Sequence, residues 1–156
     1  MFKLSDEGVA FVKKELNRYE DRRSAIIPSL FRVQRESGWV SPEAITYLSQ
    51  LMDMPEPWID EVASFYTMFN RKPVGKYHVQ VCCNVSCAMN GGRELADQLS
   101  HELGADGREI SADGRYTVSR VECLGACDKA PMMQVNEDYH EGLTKQKALE
   151  ILKSLK

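Results

Sequence analysis

The sequence predicts an α+β protein with a helical first half and a second half that mixes strands and helices. Three observations support this prediction. Apolar residues recur at helical spacing up to residue 69, apolar and polar residues alternate from residue 77, and the RKPVG stretch at 71–75 has the composition of a linker. We therefore predict an N-terminal helical bundle over residues 1–75 and a second domain over residues 76–156, with a four-stranded mixed sheet.

Four helices are expected in the first half, each with a recognisable start or stop. Ser5 can cap the first helix, whose first turn carries two acids that favour the helix dipole. The second helix begins near Ser24 and stops at Gly38, and the third opens at Ser41, directly before a proline. The fourth is expected over residues 57–69. Its apolar stripe at helical spacing contains Trp58, Val62, Phe65 and Phe69.

The second half is expected to follow the order β-α-β and then β-β-α. The alternating pattern at 77–82 predicts a strand, residues 92–103 a helix and residues 115–121 a second strand. A short hairpin around Asn136 and a last helix capped by Thr144 complete the domain. Because a helix joins the first two strands, they should be parallel neighbours with a right-handed connection.

Composition narrows the class of protein. With 43% hydrophobic and 28% charged residues, the chain of 156 residues can bury a core, and a net charge of −3 gives no basic footprint for nucleic acid. No apolar run approaches the length of a membrane span, and the first residues, MFKLSDEGVAFVKK, lack a signal-type apolar region. We expect a cytoplasmic protein without direct membrane contact, which would reach a membrane only through another chain.

The cysteines have the most informative spacing in the sequence. Cys82 and Cys87 form a C-x4-C pair after the first predicted strand, and Cys123 and Cys127 form a C-x3-C pair after the second. The carboxyl ends of parallel strands point the same way, so both pairs should meet at one edge of the sheet. Clustered thiols in a reducing compartment bind metal more often than they form disulfides, and soft sulfur selects zinc or an iron–sulfur cluster. The spacing suits either metal.

Other candidate residues have simpler interpretations. Cys83 should point away from Cys82, because adjacent residues at a strand end face opposite sides. The three histidines lie outside the cysteine loops, which disfavours a Rieske-type centre. We expect Phe65 to pack in the core, although part of the aromatic patch that it forms with Tyr66 and Phe69 could face a partner. Met132 and Met133 could either shield the metal site or fill the core.

Several stretches together resemble the small thioredoxin-like iron–sulfur subunit of bacterial NADH:quinone oxidoreductase, respiratory complex I (the NuoE family). The resemblance covers nearly the whole chain. The matching stretches, in order, are AIIPSLFRVQRESGWVSPEAITYLS, EVASFYTMFN, VQVCCNVSCAMNGG and RVECLGACDKAPMMQVN.

This resemblance implies a fold, a cofactor and a partner. It implies a helical bundle followed by a thioredoxin-like [2Fe–2S] ferredoxin domain, with Cys82, Cys87, Cys123 and Cys127 as the four cluster ligands in that order. It implies that the cluster exchanges electrons with FMN on the NADH-binding flavoprotein subunit, so that this chain has no catalytic site of its own. The same subunit of an NAD-linked hydrogenase or formate dehydrogenase is the alternative, and a zinc-stabilised binding module is a more remote one.

Overall fold

The computed structural model describes residues 2–105 and 109–156. The chain divides into two compact units, Met1–Pro73 and Val74–Lys156. That these units are separate domains with a boundary after residue 75 stays a prediction. None of the described helices is long and apolar enough to cross a membrane.

Four α-helices form the first unit. They are α1 (Asp6–Leu16), α2 (Ile26–Ser37, preceded by a 3₁₀ turn), α3 (Pro42–Met52) and α4 (Glu56–Phe65). Two of the expected termini are confirmed: the Ser5 hydroxyl accepts a hydrogen bond from Gly8 N–H, and Gly38 ends α2 in the left-handed conformation that glycine favours. The second helix was expected to begin near Ser24, but a 3₁₀ turn covers that position and α2 begins at Ile26. Apolar residues from all four helices form one core, and its largest fully buried members include Ile26, Leu30, Leu48, Met52 and Ile59.

The prediction for the fourth helix was wrong in two respects. The helix α4 ends at Phe65, and the Phe65 side chain is 78% exposed rather than buried. The core-facing residues of α4 are Ile59 and Ala63, and the stripe of larger side chains lies roughly a third of a turn away from them. Phe69, beyond the helix, does join the core, with its ring centroid 5.0 Å from that of Phe31.

The second unit contains a four-stranded mixed sheet with helices. Its elements are β1 (Tyr77–Cys82), α5 (Val85–Met89), α6 (Gly92–Leu103), β2 (Tyr116–Val121), β3 (Met133–Val135), β4 (Asp138–His140) and α7 (Lys145–Ser154). The strand order is β2-β1-β3-β4, with β1 parallel to β2 and the other two pairings antiparallel. This arrangement confirms the predicted mixed sheet. Among these elements, α5 is the one that was not predicted.

The sheet buries one apolar face against α6 and α7. Alternate residues of β1, namely Tyr77, Val79 and Val81, point into this core with Leu99 of α6 and Leu152 of α7. The hairpin between β3 and β4 turns at Asn136, as predicted, with a φ of 54°. The Asn136 side chain accepts a hydrogen bond from His78 N–H at 2.9 Å, which ties the hairpin to β1. This bond anchors the hairpin at the start of β1, at the opposite end of the strand from Cys82.

Candidate metal centre

The two cysteine loops leave the sheet at the same edge. Cys82 is the last residue of β1 and lies opposite Val121, the last residue of β2, in the parallel register. Cys123 follows two residues after Val121. The convergence of both loops, which the sequence predicted from a helical crossover between parallel strands, is thus present in the structure.

The first loop folds back through α5 and buries an inner pair of thiols, Cys82 and Cys87. Asn84 begins this helix by accepting a hydrogen bond from Val85 N–H at 2.7 Å. Cys87 lies on the inward face, and both thiols are 2% exposed. The Cys87 thiol is hydrogen-bonded to the side chain of Cys82. Together with Ala126 and Met132 they form a small buried cluster, separate from the main core of the unit.

Gly92 allows this loop to close. A methyl group at its α-carbon would lie 2.6 Å from the Cys82 carbonyl oxygen and 2.8 Å from the Cys87 carbonyl oxygen. At such distances a side chain would force the backbone of the inner loop to move, so glycine at the first position of α6 allows the inner pair to pack as it does. Gly91, in contrast, adopts a left-handed φ of 83° in open space, which is an ordinary turn role.

The second loop presents an outer pair of thiols, Cys123 and Cys127, on the surface. Their sulfur atoms are 3.3 Å apart, and both side chains are exposed. The backbone of Gly125, with a left-handed φ of 89°, points its N–H at the Cys123 sulfur at a distance of 3.4 Å. A 3₁₀ turn over Cys127–Lys129 then leads to the cis peptide bond between Ala130 and Pro131.

Two side chains of the first loop hold the second loop beside it. The Ser86 hydroxyl donates a hydrogen bond to the Cys127 carbonyl oxygen at 2.9 Å. The Asn84 amide donates to the carboxylate of Glu122. Because Ser86 lies directly before Cys87 in α5, these bonds link the inner pair to the outer pair. Neither residue was predicted from the sequence, although an asparagine before VSCAM is a typical helix cap.

The surroundings of three of the thiols shift their pKa in different directions. Burial and the hydrogen bond to Cys82 raise the pKa of Cys87 to about 11. The Gly125 N–H lowers the pKa of Cys123, while the hydrogen bond to Cys123 raises that of Cys127. At neutral pH the inner thiol would therefore lose its proton only in exchange for a metal cation, since metal binding and thiol deprotonation are linked. This donor set suits a metal that takes thiolates in pairs.

The fifth cysteine lies on the other side of the strand. Cys83 packs partly buried against the core between the sheet and the helices, whereas Cys82 belongs to the small cluster of the inner pair. The Cys83 thiol lies 3.5 Å from the Val81 carbonyl oxygen and 3.8 Å from the Gly92 carbonyl oxygen. Burial raises its pKa. It is therefore not placed with the four sulfurs.

Other potential ligands do not join the site. In residues 2–105 and 109–156, no group of three or more histidine, cysteine or acidic side chains, the four cysteines included, is arranged to hold a single metal ion. His78 contacts the Ser119 hydroxyl at 2.9 Å, on the strands rather than in the loops. Met132 packs in the cluster with the inner pair, and Met133 packs in the main core. That Met132 shields the site from water stays a prediction.

The solved structure of an NAD⁺-reducing [NiFe]-hydrogenase has a similar fold. It superposes with a TM-score of 0.69 at 22% sequence identity over 83% of this chain. This chain spans only 23% of that hydrogenase chain. At this level of identity the likeness concerns the fold alone.

Sequence comparisons identify closer relatives and a family. An NADH-quinone oxidoreductase subunit of Rhizobium meliloti is 42% identical over 139 residues, which cover 89% of this chain and 83% of that protein. The NADH-quinone oxidoreductase subunit 2 of Thermus thermophilus is 40% identical over 154 residues, covering 97% and 85%. The family model described as thioredoxin-like [2Fe-2S] ferredoxin matches residues 12–156. The chain therefore belongs to the thioredoxin-like [2Fe–2S] ferredoxin family.

Proposed function

We propose that this chain is an electron-transfer subunit of NADH:quinone oxidoreductase, with one [2Fe–2S] cluster held by Cys82, Cys87, Cys123 and Cys127. The observation that carries the proposal is the meeting of two cysteine pairs at one edge of the sheet. Membership of the ferredoxin family and relatives at about 40% identity over most of the chain support it.

The residues present fit such a cluster. A [2Fe–2S] cluster would take four thiolate ligands, and the structure offers them as one buried pair and one exposed pair. Met132 and Ala126 keep water from the inner pair, and the Gly125 N–H donates to an outer sulfur. Such N–H groups stabilise additional negative charge on sulfur. When bound, the cluster supplies one-electron transfer at a low potential.

The oxidation of NADH is assigned to a partner. The sequence contains neither a G-x-G-x-x-G nor a P-loop motif. We infer that FMN and NADH bind to a flavoprotein subunit of the same complex, and that this chain provides only the electron site. Attachment to the cytoplasmic side of the inner membrane would then come through the assembled complex.

The rival functions make different predictions. A hydrogenase subunit would share the cluster and the flavoprotein partner, but its support is a likeness in fold at 22% identity, compared with 42% and 40% for the two oxidoreductase subunits. A zinc module would have no redox activity. A third rival, a thiol–disulfide oxidoreductase on the same fold, is disfavoured because the sequence has no C-x-x-C pair.

The test is a spectroscopic and chemical analysis of the purified protein. We expect about two irons and about two acid-labile sulfides per chain, and an electron paramagnetic resonance (EPR) signal after reduction with dithionite. NADH should produce the same signal when catalytic amounts of the flavoprotein subunit are added. A colourless protein with one zinc would contradict the cluster, and a cluster that NADH and the flavoprotein fail to reduce would contradict the assignment to this complex.

A further inference from the structure

The short helix α5 has two opposite faces. Cys87 points inward and is 2% exposed, while Val85 and Met89 are 71% and 83% exposed. Residues four apart lie on the same face of a helix, so these two apolar side chains form one outward surface. We call Val85 and Met89 the α5 face.

The α5 face adjoins the outer cysteine pair. Val85 stands between Asn84 and Ser86, and both of these residues bond to the second loop, at Glu122 and at the Cys127 carbonyl oxygen. The thiols of the second loop are themselves exposed. An apolar surface and the open side of the sulfur site therefore occur together.

Acidic groups border this region. Glu122 directly precedes Cys123, and Asp128 directly follows Cys127. Both acidic side chains are exposed. The nearest basic residue along the loop, Lys129, is ion-paired with Glu141 at 3.2 Å. The complementary surface on a partner would be apolar at its centre with lysine or arginine residues around it.

We propose that the α5 face, with its acidic border, is the surface on which the electron-exchanging flavoprotein docks, an inference that rests on the proposed function. Electron exchange requires the partner to approach the sulfur site, and the open side of that site is the outer pair. Methionine adapts its shape to different surfaces, which suits a contact made by Met89. Docking would also cover thiols that otherwise face water.

A second exposed apolar surface provides the competing assignment. In the first unit, Trp58, Phe65, Tyr66 and Met68 are all exposed, and Phe65 is the most exposed of them. We call these four residues the α4 patch. The α4 patch belongs to the first unit, whereas all five cysteines lie in the second. It therefore offers a matched control.

The test measures binding of the FMN- and NADH-binding subunit from the same organism to cluster-loaded variants of this chain. We expect Met89→Lys to weaken binding by about tenfold or more, because it removes an apolar contact and adds a charge like that of the partner's border. Met89→Glu should weaken it less. Phe65→Lys should change it by about twofold at most, as surface substitutions outside an interface do. Wild-type binding should weaken as salt rises.

Each outcome has a defined meaning, provided that the EPR signal of every variant matches that of the wild type. Strong loss with Phe65→Lys and none with Met89→Lys would overturn the proposal in favour of the α4 patch, with the cluster assignment intact. A greater loss with Met89→Glu than with Met89→Lys would overturn the acidic border as the complementary charge. Failure of the wild-type protein to bind the flavoprotein at all would overturn the proposed function as well.

Discussion

The inner and outer cysteine pairs have the same chemistry in opposite surroundings. Cys82 and Cys87 are buried with Met132 and Ala126, and one of them ends a central strand. Cys123 and Cys127 lie on an exposed loop and a 3₁₀ turn. The inner pair is therefore positioned by the packing of the sheet, whereas the outer pair is positioned by hydrogen bonds from Ser86 and Asn84 and by the loop's own backbone.

This difference indicates separate tasks for the two halves of the proposed site. A buried, closely packed pair fixes the place of a cluster and excludes water from it. An exposed pair leaves that cluster accessible to another protein. Substitutions at the inner pair should consequently affect retention of the cluster, while those at the outer pair should affect its spectroscopic properties more than its presence.

The largest expected effect comes from serine substitutions in the two pairs. Cys82→Ser should abolish cluster assembly or lower the iron content severely, because the packed strand end cannot shift to suit a shorter, less acidic ligand. Cys127→Ser should retain iron with an altered EPR signal, because the exposed loop can adjust. Iron and sulfide analysis of both proteins checks this prediction.

If both serine variants lost iron equally, the proposed division between the pairs would be wrong. If the Cys82→Ser variant were unfolded, it would lose iron whatever the role of Cys82. Thermal unfolding of both variants after removal of the cluster by a chelator provides the control, and we expect similar melting temperatures for the two.

Two adjacent methionines allow an effect on stability to be separated from an effect on the reduction potential of the proposed cluster. Met132 and Met133 are both fully buried, but Met132 contacts the inner pair and Met133 the main core. Replacing either with alanine should lower the free energy of unfolding by about 2–5 kcal/mol. Only Met132→Ala should also shift the reduction potential, because it admits water to the inner thiols. An identical potential in both variants would show that Met132 does not shield the site.

A smaller effect is expected from Gly91 and Gly92, the two glycines at the start of α6. Gly92→Ala places a methyl group against two carbonyl oxygens of the inner loop and should destabilise the protein by about 1–3 kcal/mol. Gly91→Ala meets no neighbouring atom and should cost about 1–2 kcal/mol through its left-handed backbone alone. Iron release to a chelator should accelerate in Gly92→Ala only. Equal release rates in the two variants would contradict a role for Gly92 in closing the inner loop.

The sequence was sufficient to predict the convergence of the cysteine loops, because a helical crossover between two strands leaves few arrangements. It was not sufficient to reveal α5, since five residues are too few to display a helical period. The ties from Ser86 and Asn84 to the second loop were missed with it. They join residues about 40 positions apart, and no local pattern encodes such contacts.

The misplaced Phe65 shows a second limit. Helix α4 has two stripes with helical spacing, one of large side chains and one containing Ile59 and Ala63. Periodicity identifies both, and side-chain size suggested the wrong one. The smaller residues Ile59 and Ala63 pack in the core, and Phe65 lies on the surface. An exposed aromatic group of this kind is detected only once the packing of the neighbouring helices is known.

The smallest expected effect concerns the fifth cysteine. Cys83→Ala should leave the visible and EPR spectra of the reduced protein unchanged and lower stability by about 1 kcal/mol, because its thiol contacts backbone carbonyls in the main core and not the inner pair. Cys82→Ala, one residue away and on the opposite side of the strand, should lose the signal. If Cys83→Ala were colourless and Cys82→Ala kept its colour, Cys83 rather than Cys82 would be the ligand. The end of β1 would then have to differ from the one observed.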